Sequence, residues 1–124
     1  MTELLAVAAG GAVGSVCRWG IGNALRALVP ALPAGTFIAN VIAGLVIGIV
    51  TGANAVAPLP SAAKAMLAVG LCGGLSTFST FSNETFQMLE AGNVAGAVAN
   101  VAANVVVCLL AVWAGTRLGT SLVG

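Results

Sequence analysis

Apolar residues run through this chain with few interruptions: two proline-bearing stretches, Pro30–Pro33 and Pro58–Pro60, and one polar run, Gly73–Gln87. A hydrocarbon core about 30 Å thick takes roughly 20 apolar residues per helix. The runs between the interruptions supply four such segments, about Leu4–Leu28, Ala34–Gly52, Ser61–Leu89 and Val94–Leu118. Together they consume nearly all of the 124 residues, so no length remains for a soluble domain. With 4 basic and 3 acidic side chains and a mean hydropathy of +1.12, the chain cannot dress a water-facing surface. The expected fold is an all-α membrane protein, residues 1–124 forming a single transmembrane four-helix subunit in the cell membrane.

The same composition excludes several function classes. A net charge of +1 without like-charge runs offers no patch for nucleic acid. The chain has no histidine and no catalytic pairing, so it does not read as an enzyme. Cys17, Cys72 and Cys108 lie inside apolar segments at spacings that match no metal or disulfide pattern; they read as small packing residues. Glu3 stands where a cleavable signal would carry basic residues.

Small residues recur at helical spacing. In the first segment Gly10, Gly14, Arg18 and Gly22 share a face, as do Gly11 and Ser15. In the second, Thr36, Asn40, Gly44, Gly48 and Gly52 form a stripe, and in the fourth Gly92, Gly96, Asn100, Asn104 and Cys108 do the same. Such stripes let membrane helices approach closely, and amides on them serve as interhelical glue or as a polar lining. Arg18 is a charge well inside an apolar segment, which needs a partner or nearby water unless it snorkels to an interface. Trp113 and Arg117 suit the membrane boundary.

The third segment differs from the rest. Ala62–Leu71 reads as ordinary apolar helix, with Ser61 as its cap. Gly73-Gly74 followed by Ser76-Thr77 then joins glycine's entropy cost to hydroxyls that compete for backbone groups. The expectation is a third helix broken near its middle, which membranes tolerate where the freed backbone lines a cavity or meets an ion. Beyond the break, Phe78 and Phe81 share a face if the helix resumes, Ser79 and Thr80 add hydroxyls, and Glu84 is the one carboxylate deep in the chain. An aromatic ring edge is electropositive and can approach an anion. Lys64 and Arg117 fall on one side of the membrane and Arg26 on the other, nearly no positive-inside bias. Such a chain can insert either way round, and an antiparallel, dual-topology dimer is the economical assembly.

These motifs resemble the small fluoride-channel family known as Fluc or CrcB, over the whole chain. Gly10-Gly11-Ala12-Val13-Gly14-Ser15-Val16-Cys17-Arg18-Trp19 is similar to the family's GGxxGAxxRY, Gly35–Gly44 to GTxxxNxxG, and Gly73–Glu84 to GGxTTFSTFSxE. Ala111–Gly115 and Arg117–Gly119 look like the close of its last helix. The resemblance implies an antiparallel dimer with two pores that pass fluoride passively out of the cytoplasm and so relieve its toxicity. It implies that Phe78 and Phe81 contact the ion by their ring edges and that Asn40 donates beside them. It also implies that Gly73 and Ser76 offer backbone carbonyls to a structural sodium ion (Na+) at the dimer centre. Glu84 matches the family's pore-adjacent glutamate and Arg18 its first-helix arginine, at the pore entrance or in assembly. Ser79, Thr80, Asn100 and Asn104 complete the expected pore lining, with Asn100 where a Tyr is usual and Asn104 where a Ser is usual. The partners implied are fluoride, sodium, lipid and a second copy of the chain or a related subunit. Two other readings stand beside this one. A small multidrug-type proton-coupled exporter would need a membrane carboxylate in its first helix, where only Glu3 lies, at the edge. A non-transporting assembly subunit would explain the glycine stripes but not the Phe–Ser–Thr run.

Overall fold

The computed structural model describes residues 1–124, and all of its regular structure is helix, with no strand. Its elements are α1 (Thr2–Leu28), α2 (Ala34–Val56), a third span assembled from several pieces, and α6 (Val94–Val123). The third span comprises α3 (Ser61–Lys64), a π-helical stretch (Ala65–Leu71), α4 (Cys72–Leu75) and α5 (Phe78–Glu90). Four spans are long and apolar enough to cross a bilayer, and the chain is a multi-pass integral membrane protein. The helices run past the expected segments at several ends, α2 to Val56 and α6 to Val123.

Two details differ from the sequence reading. Ser61 does not cap the third span: Pro60 takes the N-cap position and no side-chain cap bond forms. The Ala62–Leu71 stretch is not plain α-helix, since Ala65–Leu71 is wound in the wider π form, closed by a bond from Cys72 N–H to the Leu67 carbonyl.

The spans pair through glycine. Gly10 and Gly14 of α1 are buried, and a Cβ on either would strike a backbone carbonyl of the third span, Met66 O or Leu71 O respectively. From the other side, a Cβ on Gly74 would lie 2.6 Å from Gly11 O and one on Gly70 2.7 Å from Val7 O. The second seam joins α2 to α6. Cβ atoms on Gly48 and Gly52 would strike Val112 O and Thr116 O, and those on Gly115 and Gly119 would strike Leu45 O and Ile49 O. With no side chains between them, the helices gain dispersion contacts and accept no substitution. Ala39, Ala43, Cys72 and Leu75 form the small apolar core where α2 meets α4, which places Cys72 in packing as its type suggests.

The turn between α5 and α6 follows capping chemistry. Gly92 takes φ +81°, a left-handed conformation that costs a side-chain-bearing residue energy, and Asn93 Oδ1 accepts the Gly96 N–H at 2.9 Å. Arg117 lies over the Trp113 ring, 5.9 Å from its centroid, near the far end of α6.

Candidate functional site: a polar centre in the third span

Helix α4 stops at Leu75. Ser76 (φ −83°, ψ 155°) and Thr77 (φ −150°, ψ 118°) are extended, and helix resumes at Phe78. The bonding around these two residues explains the interruption. Thr77 N–H donates to Asn40 Oδ1 at 2.9 Å instead of to the Gly73 carbonyl four residues back. Thr80 N–H is taken by Thr77 Oγ1 at 3.1 Å, an N-cap bond that starts α5 and leaves the Ser76 carbonyl without its helical donor. Ser76 Oγ donates back to the Cys72 carbonyl at 2.8 Å, closing the end of α4.

Arg18 meets this interruption from α1. Its Nε donates to the Gly74 carbonyl at 2.9 Å, so the charge inside the first span has a backbone acceptor at the C-terminal end of α4, where the helix dipole favours a cation. No carboxylate is its hydrogen-bond partner. The arginine also lines a cavity of about 640 Å³ with Ser15, Arg26, Thr36, Thr80 and Glu84. Two guanidinium groups at this mouth raise the local potential for anions. Glu84 Oε1 is buried without a hydrogen-bond partner.

A second cavity of about 360 Å³ is lined by Asn40, Phe78, Phe81 and Asn104, with Ser76, Thr77, Cys72 and Cys108 around them. The two rings sit 5.7 Å apart at an interplanar angle of 54°, the tilted arrangement in which one edge meets another face. Asn40 Nδ2 donates to Asn104 Oδ1 at 3.1 Å. The structure thus draws Asn40, Phe78, Phe81 and Asn104 to one cavity and Arg18, Thr80 and Glu84 to the other. Asn100 lines neither; it stands behind Asn104 and bonds to Thr85 Oγ1 at 2.9 Å. Ser79 and Gly73 face outward, and nothing in the chain lies within 4 Å of where a Gly73 Cβ would stand. Phe78 is 80% exposed, so it lines the cavity from its open side. Sequence reading passed over Thr85 and Thr77 as partners. The signal for Thr85 was faint: a hydroxyl one turn after Phe81, with its Oγ1 bonded to the Phe81 carbonyl at 2.8 Å.

Residues 5–116 match the family described as CrcB-like protein, Camphor Resistance (CrcB). This chain belongs to the CrcB family. CrcB relatives align over nearly its whole length. It is similar to the protein named fluoride-specific ion channel FluC of Nitrobacter winogradskyi, 47% identical over 119 residues and covering 94% of each chain. A protein of the same name from Pseudomonas putida is 40% identical over 116 residues, 93% of this chain and 91% of its own. One from Escherichia coli is 44% identical over 109 residues, 87% and 86% of the respective chains. The CrcB match covers all the stretches that carry the polar centre, from Arg18 to Cys108.

Proposed function

We infer that this CrcB chain is a subunit of a fluoride-selective channel, passive rather than enzymatic, that lets fluoride leave the cytoplasm. The carrying observation is the cavity at the interruption of the third span, where an amide donor and two phenylalanines meet in a chain whose relatives bear the name fluoride-specific ion channel. A small anion gives up its water only where donors replace it. Asn40 N–H and the positive edges of Phe78 and Phe81 supply such donors without a fixed cation in the cavity, so the ion is held loosely enough to leave. Arg18 and Arg26, at the wider cavity, gather anions at the entrance, with Thr80 and Glu84 on its wall. Ser79 faces outward, where a second subunit would complete the path. The family match favours this reading over a proton-coupled exporter, which needs a carboxylate deep in its first helix, where this chain has only Glu3 in the first turn of α1.

The working unit in this reading is an antiparallel, dual-topology dimer whose third helices, broken at Ser76-Thr77, face each other. Gly73 fits such an interface because it is open on its outer side. The carbonyls of Gly73 and Ser76, which lose their helical donors at the interruption, are oxygen ligands suited to a hard cation such as sodium. When bound there, the ion would supply positive charge near the pores and tie the two interruptions together. The test is fluoride efflux from liposomes holding the purified protein. The expected result is efflux well above that of protein-free vesicles for the parent, and a loss of tenfold or more, about 1.4 kcal/mol, in Phe81→Ile. Equal leakage from parent and protein-free vesicles would reject the channel.

A further inference from the structure

We propose that Asn104 and Asn100 are positioning residues that act on the ion through Asn40, and that neither donates to it. The proposal rests on the channel reading above. A primary amide has two N–H donors and one acceptor oxygen, and its two ends are alike in shape. An Asn40 amide turned the wrong way would present its oxygen to the cavity and repel an anion. What sets its sense is a series of bonds that all run one way. Thr77 N–H donates to Asn40 Oδ1 at 2.9 Å, and Asn40 Nδ2 donates to Asn104 Oδ1 at 3.1 Å. Asn104 Nδ2 bonds to both the carbonyl and the Oδ1 of Asn100, at 2.9 and 3.1 Å. Asn100 Nδ2 donates to Thr85 Oγ1 at 2.9 Å, and the Thr85 hydroxyl donates to the Phe81 carbonyl at 2.8 Å.

Counting donors assigns the roles. Asn104 is 6% exposed, and its nitrogen and oxygen are both committed, two bonds to Asn100 and one from Asn40. It has no N–H left for an ion, although it lines the cavity. Asn40 commits its oxygen and one bond from its nitrogen, which leaves one N–H beside Phe78 and Phe81. Each link orients the one before it: the Phe81 carbonyl aims the Thr85 hydroxyl, whose oxygen then takes Asn100, and Asn100 holds Asn104 with its oxygen toward Asn40. The series begins at the interrupted backbone and ends on the turn that carries Phe81. Donor and ring are therefore set against each other by residues on α2, α5 and α6.

The test is a double-mutant cycle on fluoride efflux with Asn40→Ser, Asn104→Ala and the pair together. Asn104→Ala alone is expected to slow efflux roughly fivefold, the loss of one hydrogen bond's net worth. In the Asn40→Ser background the same change is expected to do little more, because the group it orients has gone. Effects that multiply independently would overturn the positioning role. Thr85→Val, which touches neither cavity, is expected to slow efflux in the same sense, and parent-like efflux would count against the series; it also stands in for Asn104→Ala should that variant fail to fold. A second readout needs no transport: exchange of the Asn40 side-chain amide protons, followed by NMR, is expected to quicken in Thr85→Val, and unchanged exchange would reject the coupling. A parent that moves no fluoride rejects the channel itself, whereas a conducting parent with an additive cycle rejects only this assignment.

Discussion

The glycine seams bring backbone against backbone, whereas the centre between Thr77 and Thr85 is held by side chains reaching across three helices. Seams of this kind are rigid in position but chemically mute: Gly10, Gly14, Gly48 and Gly115 fix where helices lie and offer nothing to a solute. In the centre the reverse holds. Its residues contribute little packing volume, yet their donors and acceptors are almost all committed, and the few left over define what the cavity can bind. A membrane protein of this size separates the two tasks, because an uncommitted polar group in hydrocarbon costs several kcal/mol while a glycine contact costs no desolvation.

The sharpest way to break the contrast is to put a side chain into a seam. Gly48→Leu would drive its Cβ into the Val112 carbonyl, a backbone atom that cannot swing aside. We expect more than ~4 kcal/mol of destabilisation and no monodisperse protein by size exclusion. A well-folded Gly48→Leu would show that the seam yields. Arg18→Gln comes next, since it removes the charged donor from the Gly74 carbonyl where the seam meets the centre. A loss of about 1.5–3 kcal/mol is expected by thermal unfolding, the range for a hydrogen bond to a charged group. Gly73→Ala should matter least to the subunit, because its outer side is open; we expect a change within about 1 kcal/mol. A larger cost would have to come from a neighbouring subunit, which makes this variant a gauge of the proposed dimer contact.

Much of the fold was legible because hydrophobic runs, proline pairs and glycine stripes are local signals: the four spans and the Gly10/Gly14 and Gly48/Gly52 faces follow from them. The α6 seam, in contrast, falls on Gly115 and Gly119 and not on the expected Gly92–Gly96 stripe, which meets no other helix. The interruption was legible for a similar reason: Gly73-Gly74 and Ser76-Thr77 are poor helix formers in series. What the sequence could not disclose were partners far apart along the chain. Arg18 visibly needed an acceptor, but its choice of Gly74, 56 residues away, depends on how Gly14 and Gly74 bring α1 against the third span. Asn40 and Asn104 were both marked as amides on stripes, yet nothing local tells which one keeps a free N–H. That depends on Asn100 and Thr85, a link made only once α5 lies on α6. The π-helical Ala65–Leu71 left no compositional trace, its residues being those of any apolar helix.

The central claim is that a single amide donor on α2, aimed beside two phenylalanines, admits fluoride. Asn40→Asp tests it with least change of shape, replacing the N–H that faces the cavity by an oxygen. Measured as fluoride efflux from liposomes with protein content matched to the parent, this variant is predicted to fall to the leak of protein-free vesicles. Efflux at the parent rate from a folded Asn40→Asp protein would contradict the account.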